Sequence, residues 1–191
     1  MKLLMALFFM SPLAHAAPMP ATSSSDLINS RPGLFTSALG FEMDAGTTNW
    51  VLAEVPKESK YIVTMYKAPK KEGAFQPSLT VRVDKLQNKS TLQKYVKKWL
   101  KEYPKFGFDV LGSQGFKMKG QTGYVVDLLH QEQKKQLRQV LFLRDQNAQV
   151  ITCRDDAGHF KEALKSCNSI IRTFRWTSPS TPAVESKTQS L

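Results

Sequence analysis

The stretch GYVVDLLHQEQKKQLRQVLFLRDQNAQVITCRDDAGHFKEALKSCNSIIRTF, residues 123–174, decides the fold. Three runs in it are apolar and β-branched: Gly123–His130, Leu137–Arg144 and Gln149–Arg154. Such residues suit a pleated, half-buried surface, so each run predicts a strand. The connections Gln131–Lys134 and Asp145–Ala148 are short and polar. Parallel strands need crossovers of about a dozen residues or more, so strands joined this closely form an antiparallel meander. After the third run, Phe160, Ala163, Leu164, Cys167, Ile170, Ile171 and Phe174 recur mostly three or four residues apart. That period lays one apolar stripe along a helix, expected from about Gly158 to Phe174.

The upstream half repeats the pattern. Gly40–Ala45 alternates apolar and polar, Trp50–Leu52 is a short apolar run, and Tyr61–Tyr66 and Ser78–Val83 read as strands. Ser90 and Thr91 then offer an N-cap for a helix from about Leu92 to Tyr103. Its apolar stripe is Leu92, Tyr95, Val96, Trp99, Leu100 and Tyr103, and Pro104 and Gly107 end it. Asp109–Lys119 is a further strand region, expected to be broken by Gly112 and Gly115. Two runs of strands, each followed by a helix, predict an α+β fold with helices packed on an antiparallel sheet.

The N-terminus reads as an address. Lys2 supplies a positive start, Leu3–Phe9 is unbroken apolar sequence, and Ala14-His15-Ala16 is a small-residue cleavage site. The apolar run is roughly 11 residues, against about 20 needed to span a bilayer. Residues 1–16 are therefore expected to be a signal peptide cut before Ala17, and the protein to be exported, periplasmic or secreted. No cysteine follows the run for lipid attachment, and no later apolar stretch is long enough to span a membrane. Residues 17–30 read as a flexible linker, 31–176 as one domain, and the Ser/Thr/Pro-rich 177–191 as a disordered tail. The whole chain of 191 residues is 41% hydrophobic and 23% charged, near globular averages. With 2 Cys and 3 His, it is neither a disulfide mini-protein nor a multi-site zinc protein.

The order of these elements resembles the PsbP-like superfamily, which includes DcrB-like exported bacterial proteins. The resemblance is carried by the Gly40-Phe41-x-Met43 opening strand, the Trp50 strand, the helix ahead of a strand meander, and the closing Ile170-Ile171-Arg172-Thr173-Phe174-Arg175-Trp176. It implies an α/β/α sandwich of PsbP-like type around an antiparallel sheet. It also implies a non-enzymatic binding or accessory role, with no shared catalytic signature to transfer.

The residues themselves point to few reactions. Cys153 at a strand end and Cys167 on the last helix's apolar stripe are expected to form a disulfide in an exported protein, rather than to remain two buried thiols. No metal-ligand spacing accompanies His130 and His159, so neither a metal nor another cofactor is expected. Asp127 and His130 are three apart in a strand and point to opposite faces. Asp155 and Asp156 near His159 fit helix capping, so no catalytic residue is assigned. The alternative is an envelope enzyme of hydrolase type, with a polar pocket near His130 or Asp155–His159.

Charge is the most informative feature. The chain carries 27 Lys+Arg against 16 Asp+Glu, a net of +11. Between Lys57 and Arg138 there are 18 basic and 7 acidic residues, so the excess is confined to the middle of the domain. Lys94, Lys97, Lys98, Lys101 and Lys105 fall opposite the first helix's apolar stripe. Lys67, Lys70, Lys71, Lys117, Lys119, Lys134 and Lys135 extend that face if their loops meet the helix. A basic face attracts a protein partner, an anionic envelope polymer or a membrane surface, or else it serves solubility alone. The excess of Lys over Arg suits a diffuse contact better than bidentate phosphate recognition, and export argues against nucleic acid. Phe106 and Phe108, flanking Gly107, are the candidates for a hydrophobic partner contact.

Overall fold

The computed structural model describes residues 33–178 apart from Gly73. The expectations for residues 1–32 and 179–191 lie outside the described residues. The elements in chain order are β1 (Phe35–Ser37), β2 (Phe41–Met43), β3 (Val51–Ala53), β4 (Ile62–Lys67), β5 (Ser78–Lys85), α1 (Leu92–Glu102), a 3-10 turn (Tyr103–Phe106), β6 (Phe108–Met118), β7 (Gln121–His130), β8 (Lys135–Arg144), β9 (Asn147–Asp156), α2 (Phe160–Thr173) and β10 (Arg175–Trp176). Seven strands form one antiparallel sheet in the order β3-β4-β5-β9-β8-β7-β6. The expected meander is β6 to β9, and its last strand pairs with β5, joining the two halves of the chain.

The helices lie on opposite faces of this sheet, as strand periodicity dictates. Leu137 and Leu141 of β8 and Ala148 and Val150 of β9 pack with Leu92, Tyr95, Val96 and Tyr103. Their neighbours Val140, Phe142, Ile151 and Cys153 pack with Phe160, Ala163, Cys167, Ile170 and Phe174. The sheet is thus buried on both sides, an α/β/α sandwich. Phe142 and Phe174 stack at 4.6 Å between ring centroids at the centre of the α2 side. A second, three-stranded sheet, β1-β2-β10, places Phe41 and Trp176 beside the same ring.

Three expectations need correction. Gly112 and Gly115 do not break the sixth strand, because a bulge between Val110 and Gly112 absorbs one extra residue and pairing with β7 continues to Met118. The first helix ends where expected, passing at Tyr103 into a 3-10 turn that accommodates Pro104 and stops at Gly107, φ 79°. The last helix starts at Phe160 rather than Gly158. Asp155 and Asp156 belong to β9 and do not cap it: His159 holds the N-cap position, with no side-chain capping bond.

Candidate functional site

Helix α1 is held to the sheet by its apolar stripe and by its N-cap. Thr91 Oγ1 accepts from the Lys94 N–H at 3.2 Å. Leu92, Tyr95 and Val96 are buried against the sheet. The opposite face is almost wholly cationic. Lys94, Lys97, Lys98 and Lys101 are exposed and make no ion pair among the described residues. Lys105, on the 3-10 turn, is also exposed and lies 3.0 Å from Glu102, the single acid of the segment. Lysines four apart on a helix repel, which costs a few tenths of a kcal/mol per pair. Lys94–Lys98 and Lys97–Lys101 are such pairs, and the first turn holds no acid to offset them. The helix is therefore stabilised by its buried side while its outer side concentrates positive charge.

Beside α1, the segment after β5 forms an open cleft of about 500 Å³. Lys85, Lys94 and Lys98 rim it, and Tyr95 and Trp99 line it. Its one carboxylate, Asp84, is already engaged. Arg82 Nη2 donates to Asp84 Oδ2 at 3.0 Å, Arg82 Nε stands 2.9 Å from Oδ1, and the Tyr95 hydroxyl donates to Oδ2. Burial, reinforced by that hydrogen bond to Asp84, pushes the Tyr95 phenol well above its ordinary value. Burial likewise raises Tyr103, to about 12, so both phenols stay neutral donors at physiological pH. With Asp84 neutralised by Arg82, the free charge facing the cleft is the lysines'. Lys85 was missed by the sequence reading. Only the β5-to-α1 turn brings it to the helix, and no periodicity encodes that.

The proposed extensions of this face divide. Lys119 donates to the Arg172 carbonyl of α2 at 2.7 Å, and Lys71 lines a different groove. Lys135 pairs with Asp156 and sits 3.6 Å over the Phe75 ring. None of these three joins the α1 face, because the intervening strands carry them to the other side or end of the sheet.

The alternative acid–base residues also separate. His130 lies on the α1 side, its ring 4.9 Å from that of Phe108. Asp127 lies on the α2 side and accepts both arms of Arg138, at 2.7 Å each. The second groove, about 490 Å³, does collect Asp155, Asp156, His159 and Glu162 beside Trp50 and Phe75. Burial raises the Asp155 carboxyl above the usual carboxylate range. Its Oδ1 accepts from the Asp156 N–H at 2.7 Å, and Asp156 is paired to Lys135. No hydrogen bond joins Asp155 to His159 among the described residues. Cys153 and Cys167 form the expected disulfide, with their Cα atoms 6.0 Å apart, tying β9 to α2.

Three solved structures share this architecture. Cyanobacterial PsbP (CyanoP) from Synechocystis sp. PCC 6803 aligns at a TM-score of 0.56 and 9% identity, covering 84% of this chain and 99% of that one. The chain has a PsbP-like fold. LpqN of Mycobacterium tuberculosis, involved in cell envelope biogenesis, aligns at a TM-score of 0.53 and 14% identity, covering 72% of this chain and 83% of that one. PA94 of Pseudomonas aeruginosa, a protein of unknown function, aligns at 0.53 and 17% identity, covering 66% of this chain and 96% of that one. No family model matches the sequence, and no curated protein matches it. At these identities the likeness is one of PsbP-like fold alone.

Proposed function

We propose that this is an exported accessory domain of PsbP-like fold that docks on an anionic macromolecular surface through the lysine face of α1. The observation that carries this reading is the row Lys94, Lys97, Lys98 and Lys101, exposed and without an ion-pair partner among the described residues, beside a cleft whose only carboxylate is held by Arg82. A helix that only needed solubility would gain from interspersed acids, which relieve the i,i+4 repulsion. The envelope setting of LpqN supports an envelope role for this chain as well. Such contact acts through the summed field and attracts the partner at long range rather than gripping one group.

The test is retention of the purified protein on an immobilised polyanion across a salt series. Retention is expected near 0.1 M salt and loss by 1 M, because the screening length falls from about 10 Å to about 3 Å. Charge reversal by Lys94→Glu, Lys98→Glu and Lys101→Glu should abolish retention and leave the fold unchanged, since the apolar stripe is untouched. Retention that survives the triple reversal would return the face to a solubility role.

The alternative, a hydrolase-type envelope enzyme, draws on the groove of Asp155, Asp156 and His159. There Asp156 is used by Lys135 and Asp155 by the Asp156 N–H, which favours a structural part for both carboxylates.

A further inference from the structure

The lysine-bearing helix leads along the chain into exposed apolar side chains. At the C-terminal end of α1 the chain passes through the 3-10 turn into β6, and three large apolar side chains stand exposed there. Phe106 is 59% exposed, Val110 37% and Leu111 53%. Phe106 follows Lys105 immediately, and Phe106 to Leu111 spans at most about 17 Å of extended chain. Over the same scale, the helical rise from Lys94 to Lys105 is about 16 Å. Basic and apolar groups are therefore neighbours along the chain, with the exposed Asp109 between Phe106 and Val110.

The shape of this segment favours insertion of side chains over pairing of backbone. β6 is the last strand of the seven-stranded sheet, with no strand on its outer side among the described residues. Its bulge at Leu111 bends the strand just where the apolar residues sit, and Gly112 and Gly115 follow. Bent, glycine-containing edges are poor templates for adding a strand from another chain. The turn that projects Phe106 is fixed as well. Gly107 holds φ 79°, and a Cβ there would stand 3.3 Å from the His130 ring. A soluble polyanion would engage the lysines and leave these apolar groups in water. A bilayer with anionic headgroups satisfies both kinds of group, since interfacial binding combines buried apolar area with attraction to charged lipid.

Resting on the docking reading above, we infer that the anionic surface is a lipid bilayer. Phe106, Val110 and Leu111 enter the boundary between headgroups and acyl chains, while Lys94, Lys97, Lys98, Lys101 and Lys105 lie over the headgroups.

The experiment is sedimentation of the purified protein with vesicles of phosphatidylglycerol and phosphatidylcholine, against phosphatidylcholine alone, at 0.1 M salt. Binding is expected only with the anionic vesicles. The triple lysine reversal should weaken it by about 100-fold or more. Phe106→Ser with Leu111→Ser should weaken it about tenfold or more while polyanion retention stays unchanged. In a Phe106→Trp variant, whose exposed site tolerates the larger ring, emission beyond that of the wild type should shift to the blue with anionic vesicles and not with soluble polyanion. Polyanion retention without vesicle binding would overturn the bilayer and leave the docking reading standing. Loss of both would overturn both. Vesicle binding indifferent to the Phe106 and Leu111 substitutions, with no blue shift, would overturn insertion.

Discussion

Asp155 is 3% exposed and has its carboxyl pushed above the usual range by burial. In the fold it binds its proton more tightly than in the unfolded chain, so the folded state holds the extra proton between the ordinary value of 3.8 and the raised one. Stability linked to this group is therefore full below 3.8, falls as pH rises through that window, and levels off above the raised value. Asp155→Asn keeps an acceptor for the Asp156 N–H and removes the titration. The variant is expected to be more stable than the wild type at neutral pH, with the gap closing as pH falls toward 4. Urea midpoints across pH 4 to 8 measure this, and parallel curves would show that burial exerts no such penalty. In the sequence Asp155 and Asp156 resemble a helix cap because both precede His159 closely. Local sequence does not show that β9 runs on through Asp156, since acidic residues there weaken the strand signal while pairing with Gln136 and Lys135 of β8 sustains the strand.

At the scale of elements, strands and helices with a clean period were legible from sequence, and their irregular joints were not. The meander and both amphipathic helices follow from residue spacing alone. The bulge in β6 depends on its partner strand, and the pairing of β5 with β9 links segments more than sixty residues apart, beyond any local signal. Of the candidate site, the helix lysines were legible because one face of a helix is a local property. Lys85 was not, because it ends β5 and meets the helix only through the turn that follows. The glycines of the β6–β7 hairpin show the same division. Gly112 and Gly115 read as strand breaks and Gly123 as a strand's first residue, but the close approach that requires a glycine within β7 at Gly123 is not a local signal. A Cβ there would stand 2.5 Å from Phe116 Cζ and 2.8 Å from Phe142 Cε1. Phe142 is fixed by its stack on Phe174 and cannot retreat. Gly123→Ala should therefore destabilise the fold by about 1–3 kcal/mol through overpacking. The shift of its denaturation midpoint decides the point. An unchanged midpoint would mean that the aromatic cluster yields at little cost.

Across the whole molecule, charge and covalent structure are segregated. The basic excess lies between Lys57 and Arg138, on elements that include α1, whereas the disulfide ties β9 to α2 on the opposite face of the sheet. The proposed docking face is thus a helix carried by the sheet, and the far layer is the one locked by a covalent bond. Closing a loop of about 15 residues stabilises the fold by about 3 kcal/mol in the chain-entropy model. That gain is realised only in an oxidising compartment, which links the Cys153–Cys167 bond to the proposed export. Both are read in one measurement, the intact mass of protein recovered from the envelope after expression with its leader. A chain beginning at Ala17 and lighter by two hydrogens than the reduced form is expected. Cys153→Ser with Cys167→Ser should cost about 3 kcal/mol in denaturant without changing polyanion retention, because the bond lies on the other side of the sheet from the lysines. A mass that retains Met1 would remove the export proposal. Two titratable thiols in the recovered protein would show that the bond does not form where the protein works.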